Sequence, residues 1–254
     1  MFKIISNGWK CTPQQIHQTI SSVGMQTVKD WQLCISYETE DWATDPAGHQ
    51  IECALLDYPN KIIFNGNDEA PWKLDTQMRW EGIQKMEPAD DDIIIFLDLD
   101  GDRFAHPDVL AHLLDYYADD TLATYGSYLP DPPEPGCPPA REYPPEVIAN
   151  RSYRAFGAVY FNHLRTMKGR IFNNVPVDQF HYDGGPKIGA WYEKGCDVQF
   201  TLTALELAGP RFKFITETLM YYKSDNPLAN WRIDPEGSNE CNIDFMRRPP
   251  LPVL

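Results

Sequence analysis

The chain has 254 residues, 43% hydrophobic and 23% charged, a globular composition long enough for one large α/β domain or two small ones. A formal charge of -15 and an isoelectric point of about 4.7 exclude non-specific attraction to nucleic acid or an anionic membrane, so an anionic substrate needs a local cation. Six cysteines (Cys11, Cys34, Cys53, Cys137, Cys196, Cys241) form no C-x-x-C pair, no apolar run approaches membrane-spanning length, and Ser6-Asn7-Gly8 comes too early for a secretion signal; the expectation is a soluble, cytoplasmic protein with reduced thiols.

Phe2 to Ser6, closing on Asn7-Gly8, predicts a first strand that ends at a ligand edge. Thr12-Pro13 opens a helix with Ile16, Ile20 and Val23 on one face, and Gly24 stops it. Trp31 to Ser36 predicts a second strand, after which Tyr37-Glu38-Thr39-Glu40-Asp41 forms a loop able to hold a base and ribose. Asp45 to Tyr58 has no clear pattern. Lys61 to Phe64 reads as a strand ending on Asn65-Gly66, and Thr76 to Met86 as a helix carrying Arg79, whose fork matches phosphate oxygens.

Next comes the stretch on which the chemistry turns. Ile93-Ile94-Ile95-Phe96-Leu97, between Asp90-Asp91-Asp92 and Asp98-Leu99-Asp100-Gly101-Asp102, reads as a central strand buried on both faces, most simply in a parallel sheet. Ligands of open α/β sheets sit outside the carboxyl ends of strands, so these acids face a crevice. Packed carboxylates repel, and a divalent cation that prefers oxygen ligands relieves the repulsion. Such a cation would serve a phosphorylated partner; the alternative is a solvated acidic turn.

Pro107 then opens a helix whose Val109, Leu110, Leu113, Leu114 and Tyr117 cover the sheet, and Thr121 to Tyr128 predicts another strand. Pro130 to Pro145 holds eight prolines in sixteen residues, too many for a helix or central strand, and marks an extended loop (129–146) between a first half (1–128) and a second (147–232). Beyond it, aromatic and polar residues, among them Tyr160, His163, Arg165, His181, Asp183, Gly184, Gly185 and Trp191, suit a carbohydrate surface or an ordinary core with polar loops. Asp197 to Ala208 predicts a helix ended by Gly209-Pro210, Phe212 to Ile215 and Leu219 to Tyr222 two closing strands, and residues 233–254 a tail without periodicity.

Four ordered segments resemble the family 2-like glycosyltransferases of GT-A fold: Thr19 to Val23 with Gln26-Thr27 and Asp30 to Leu33; Phe96 to Asp102 with His106 to Leu110; His163 to Thr166 near Asp183-Gly184-Gly185; and Gly195-Cys196-Asp197 with Leu205 to Gly209, Tyr221-Tyr222 and Asn226-Pro227. The resemblance implies a single domain over 1–232 with a Rossmann-like, mixed but mainly parallel sheet flanked by helices. It also implies metal-dependent transfer of a sugar, with inversion, from a UDP- or GDP-linked donor to a glycan or other hydroxyl acceptor. On it, Asp197 is the catalytic base; Asn7, Tyr37, Glu38, Arg79, Asp98 and Asp100 bind the donor; His163, Arg165, Asp183, Gly184, Gly185 and Trp191 bind the acceptor; and Asp100 with Asp102 holds Mn²⁺ or Mg²⁺.

The chain departs from the family in three places. Asp-x-Asp-Gly-Asp stands where Asp-x-Asp-Asp is common, so counting from the strand selects Asp98 and Asp100, while counting back from His106-Pro107 selects Asp100 and Asp102. Tyr37-Glu38 replaces the usual acidic pair after the second strand, and Thr166-Met167-Lys168 follows Arg165 in place of an aromatic-basic pair. Two rivals stand beside this reading. Phe96-Leu97-Asp98-Leu99-Asp100-Gly101 also resembles a haloacid-dehalogenase-like phosphatase motif, with Asp98 as nucleophile, although that motif usually lies on a first strand. The other is a sugar- or nucleotide-binding module without turnover.

Overall fold

The computed structural model describes residues 1–39, 42, 44–67, 75–134 and 139–254. Glu40, Asp41, Cys137 and the centre of the proline-rich loop, 135–138, lie outside the described residues. The first half alternates strand and helix: β1 (Phe2–Trp9), α1 (Pro13–Gly24), β2 (Trp31–Glu38), α2 (Pro46–Asp57), β3 (Ile62–Asn67), α3 (Asp75–Lys85) and β4 (Ile93–Phe96). These strands pair in parallel in the order β3-β2-β1-β4. The rest of the chain runs through β5 (Arg103–Phe104), α4 (Val109–Tyr116), β6 (Ala123–Asp131), α5 (Pro145–Asn150), α6 (Tyr153–Phe156), β7 (Asn162–Lys168), α7 (Gly169–Asn173), α8 (Cys196–Ala208), β8 (Phe212–Lys223), α9 (Asn230–Ile233) and α10 (Pro235–Met246). Its strands continue the sheet as β7-β6-β8-β5. Four of the seven pairings are parallel, so the sheet is mixed and mainly parallel; β4 itself pairs parallel with β1 but antiparallel with β7.

Alternation along β4 shows why it is central. Ile93, Ile95 and Leu97 enter the core beneath α1, α2 and α4, while Ile94 and Phe96 enter the one beneath α3, α7 and α8. Helix α1 begins as expected: Thr12 Oγ1 accepts the Gln15 N–H at 3.3 Å and Gln15 Oε1 accepts the Thr12 N–H at 2.7 Å, with Pro13 in the first turn.

Several expectations are corrected. Asp45 to Tyr58 contains α2, capped by Asp45 on the Ala47 N–H at 2.8 Å; its buried face is Ala47, Gly48, Ile51 and Ala54, mostly too small to show as an apolar stripe. Leu114 is 47% exposed and does not cover the sheet. The strand β7 went unread because His163, Arg165 and Thr166 interrupt its apolar pattern, although all three are buried. The two closing strands are one, β8, with register shifts along its pairing to β6. The periodicity-free tail holds α10, which buries Cys241 and Phe245, and the Leu254 N–H donates to the Leu207 carbonyl at 3.0 Å.

Candidate active site

The ladder between β1 and β4 runs past the end of β4: Leu97 N–H donates to the Ile5 carbonyl at 3.1 Å and Leu99 N–H to the Asn7 carbonyl at 2.8 Å. Asp98 and Asp100 are thereby held at the carboxyl edge. Gly101, at φ +109°, then turns the chain back so that Asp102 is wholly buried. Asp102 Oδ1 accepts the Lys223 N–H at 2.8 Å and its carbonyl accepts Thr19 Oγ1 at 2.7 Å, which ties the turn to β8 and α1. Asp100 Oδ2 accepts Asn226 Nδ2 at 2.5 Å.

One oxygen of each acid, Asp100 Oδ1 and Asp102 Oδ2, is buried without a hydrogen-bond partner in the protein. Burial, with the Asp98 charge beside it, pushes the Asp100 carboxyl up to about 7; burial, with Asp100 and Asp98 nearby, raises Asp102 well above the carboxylate range. These are the two acids expected to hold a cation. An oxygen-only pair with negative charge unbalanced by the protein fits a hard divalent ion. Among the described residues no three His, Cys, Asp or Glu side chains converge as a metal cage.

Asp98 is handled differently. Its Oδ1 accepts Arg79 Nη2 at 2.5 Å, and Arg79 Nε donates to Asp75 Oδ1 at 3.2 Å, one helical turn back. Arg79 is almost fully buried, and its Nη1 has no protein partner. Asn7 Nδ2 donates to Asp75 Oδ1 at 3.1 Å, and Asn7 Oδ1 is likewise unpartnered. Asp75, which no motif marks, is therefore the residue on which Asn7, Arg79 and Cys196 converge. The only signal for it was its i,i+4 spacing from Arg79.

The second half reaches the same edge through β7 and α8. Register pairs Arg165 with Phe96, so the guanidinium lies beside the end of β4. Arg165 Nη1 forms an ion pair with Asp197 in the first turn of α8, its Nη2 donates to His163 Nδ1 at 3.3 Å, and its Nε is buried without a partner. Burial alone would raise Asp197; Arg165, with His163 and Arg79 beyond it, instead holds that carboxyl well below its usual range. Burial and the Arg165 charge push His163 down to about 4, so it is neutral and accepts through Nδ1. Cys196 Sγ donates to Asp75 Oδ2 at 2.7 Å and links α8 to the donor side.

The remaining expected residues make contacts of their own. Tyr37 and Glu38 are not in a loop but are the last, buried residues of β2; Tyr37 donates its hydroxyl to Asp45 Oδ2 at 3.1 Å and sits edge-on to Trp42. Asp183 donates its N–H to Asp244 Oδ2 at 3.0 Å, with its carboxylate exposed 4.0 Å from Arg248. Gly184 and Gly185 follow in the same turn; Gly184 faces Asp244 of α10, while Gly185, at φ +71°, opens a short 3₁₀ turn and is exposed. Trp191 meets the edge of His181 at 4.4 Å and packs against the core cluster that includes Cys196 and Phe200.

No protein-family model matches the chain, and no curated protein matches it. Solved structures do. The S. aureus protein TarS superposes with a TM-score of 0.60 at 12% identity, over 94% of this chain and 38% of its own. A mannosyltransferase from Pyrobaculum calidifontis, in complex with GDP-Man and Mn²⁺, gives 0.58 at 14% identity, over 92% of this chain and 60% of its own. The glucosyl-3-phosphoglycerate synthase of Mycobacterium tuberculosis, in complex with Mn²⁺, UDP and phosphoglyceric acid, gives 0.56 at 10% identity, over 98% of this chain and 79% of its own. The chain thus spans less than two thirds of the length of the first two. Its mixed sheet, with an acidic turn at the carboxyl edge, is the GT-A fold that it shares with these structures.

Proposed function

We propose that this chain is a metal-dependent glycosyltransferase that moves a sugar, with inversion, from a UDP- or GDP-linked donor to a hydroxyl acceptor. One observation carries the reading: Asp100 and Asp102 each keep a buried carboxylate oxygen without a protein partner, at the same sheet edge as the arginine-held Asp197. The mannosyltransferase bound to GDP-Man with Mn²⁺ and the synthase bound to UDP with Mn²⁺ support the donor class and a divalent ion. Asp100 and Asp102 would hold Mn²⁺ or Mg²⁺, which, when bound, supplies Lewis-acid stabilisation of a leaving diphosphate.

The chain's own residues do the rest. Arg79 holds Asp98 in place and offers its unpartnered Nη1 to the donor side, beside Asn7 Oδ1. The acceptor oxygen attacks the anomeric carbon from the face opposite the diphosphate. The bond from that carbon to the phosphate oxygen breaks, its electron pair leaves with the diphosphate, and the hydroxyl proton passes to Asp197. Arg165 keeps Asp197 ionised and ready to accept, and at the same time lowers its basicity.

The phosphatase reading fares worse, because its nucleophile, Asp98, is clamped by Arg79 at 2.5 Å and follows the fourth strand of the chain, not the first. Thermal shift with UDP and GDP, each with and without Mn²⁺, followed by hydrolysis of UDP-glucose and GDP-mannose, tests the proposal. Manganese-dependent stabilisation by one nucleotide and slow release of sugar from its donor are expected. A chain that no nucleotide stabilises with Mn²⁺ is not this enzyme, and stabilisation without hydrolysis marks a binding module.

A further inference from the structure

Side chains link the donor side of the sheet edge to the start of α8. Asp98 accepts from Arg79 Nη2 at 2.5 Å, Arg79 Nε donates to Asp75 Oδ1 at 3.2 Å, and Asp75 Oδ2 accepts the Cys196 thiol at 2.7 Å. The residue after Cys196 is Asp197, which pairs with Arg165. Asp75, in the first turn of α3, thus holds an arginine of the donor side with one carboxylate oxygen and the beginning of α8 with the other.

The thiol is a donor with two carboxylates in reach. Cys196 is buried, and its sulfur lies 2.7 Å from Asp75 Oδ2 and 3.7 Å from Asp197 Oδ1. The nearer oxygen takes the proton, because a hydrogen bond weakens with distance. Burial, against the opposing pull of the Arg79 charge and with Asp75 and Asp197 alongside, pushes the Cys196 thiol well above its usual range. The sulfur therefore keeps its proton and serves as a fixed donor, not as a nucleophile.

A neighbouring contact joins the same two helix starts without any charge. Thr76 Oγ1 donates to Gln199 Oε1 at 3.4 Å, both residues fully buried, and Gln199 Nε2 donates to the Lys194 carbonyl at 2.9 Å. Packing of α3 on α8 is served by either contact. The Asp75 contact alone of these two reaches both Arg79 and the residue beside the base.

Resting on the transferase reading above, we infer that Asp75 is a positioning residue for sugar transfer, setting the donor side through Arg79 and the turn that carries Asp197 through the Cys196 thiol. In this role it touches no reacting atom. A phosphate drawn to Arg79 Nη1 acts on the same carboxylate that anchors the start of α8, so donor and base come into register together.

The test uses the full chain with Mn²⁺ and reads two things: affinity for UDP and GDP by calorimetry, and kcat and KM for hydrolysis of UDP-glucose and GDP-mannose, with water as acceptor. Cys196→Ala should lower kcat by about tenfold, the weight of one hydrogen bond, with nucleotide affinity and KM unchanged. Cys196→Ser, which keeps a donor, should restore kcat. Asp75→Asn should lower kcat by about 10–100-fold and also weaken nucleotide binding, because it loses a charge-assisted bond to Arg79. The double variant Asp75→Asn with Cys196→Ala should be no slower than Asp75→Asn alone, since both act through one contact. Thr76→Val should lower the unfolding midpoint and leave kcat at the wild-type value. If Asp75→Asn does not fold, the Cys196 and Thr76 variants decide. The inference is overturned if Cys196→Ala turns over as wild type does, if Cys196→Ser is as slow as Cys196→Ala, if the two single losses multiply in the double variant, or if Thr76→Val slows hydrolysis as much as Cys196→Ala. Any of these patterns in a wild type that hydrolyses a donor sinks the positioning role alone, whereas a wild type that hydrolyses neither donor sinks the transferase reading and the positioning role with it.

Discussion

Two buried charge clusters on opposite sides of α8 are built on different terms. Beneath the C-terminal segment, Arg154 donates from Nε and Nη2 to the two oxygens of Glu206 at 2.7 Å each, its Nη1 reaches the Phe245 carbonyl at 3.1 Å, and Glu206 also accepts the Leu251 N–H at 3.0 Å. That cluster is balanced and leaves nothing for a ligand. At the sheet edge, Asp98, Asp100 and Asp102 crowd together with one arginine among them, two carboxylate oxygens lack partners, and burial raises two of the three acids. Desolvating a charge is costly unless it is paired, so the deficit left at the sheet edge, where the other cluster is closed, is what supports the proposed binding of a cation there.

The largest effect should come from breaking the balanced cluster. Glu206→Ala leaves Arg154 buried and unpaired and should cost about 3–5 kcal/mol in urea denaturation. If the variant is as stable as wild type, the contrast between the clusters is false. Asp197→Asn should next lower kcat for transfer by about 10²–10⁴-fold while nucleotide affinity changes little, the loss expected of a general base; normal turnover would take that role from Asp197. Asp100→Asn should weaken manganese-dependent nucleotide binding by about 10–100-fold in calorimetry. It should not lower the stability of the metal-free protein, because the substitution removes a repelling charge.

The smallest effect concerns pH. His163 is pushed down to about 4 from an ordinary 6.5, so the unfolded chain takes up its proton more readily than the folded one. Its contribution to stability is complete above about 6.5 and is lost as pH falls towards 4. The difference in unfolding free energy between wild type and His163→Asn, followed across that window, should shrink as the solution becomes more acidic. A constant difference would mean that His163 does not titrate in this range.

Legibility followed the same division between the halves. In the first, strands, helices and the acidic turn are readable because each obeys a local rule: an apolar run, a Thr-Pro cap, a glycine between the last two acids. Even there α2 escaped notice, its buried face being made mostly of small residues, and Tyr37-Glu38 was placed in a loop although β2 runs on to include it. In the second half the site residues lie inside elements. His163 and Arg165 look like surface polarity in a linear reading and become interior only when β7 inserts between β4 and β6. Asp75 carries no motif, and Asn226, although inside the fourth resembling segment, has no role assigned by it; Asn7 meets Asp75 across 68 positions of sequence and Asn226 meets Asp100 across 126.

By itself the sequence determined the alternation of strands and helices and the place of an acid-rich strand end, because periodicity, capping and turn chemistry act within a few residues of one another. Tertiary structure alone decided which charges are balanced. Whether Asp100 lacks a partner, Arg165 holds Asp197 or Glu206 is neutralised depends on which distant segments the sheet brings together, and electrostatic cost is set by that neighbourhood and its burial.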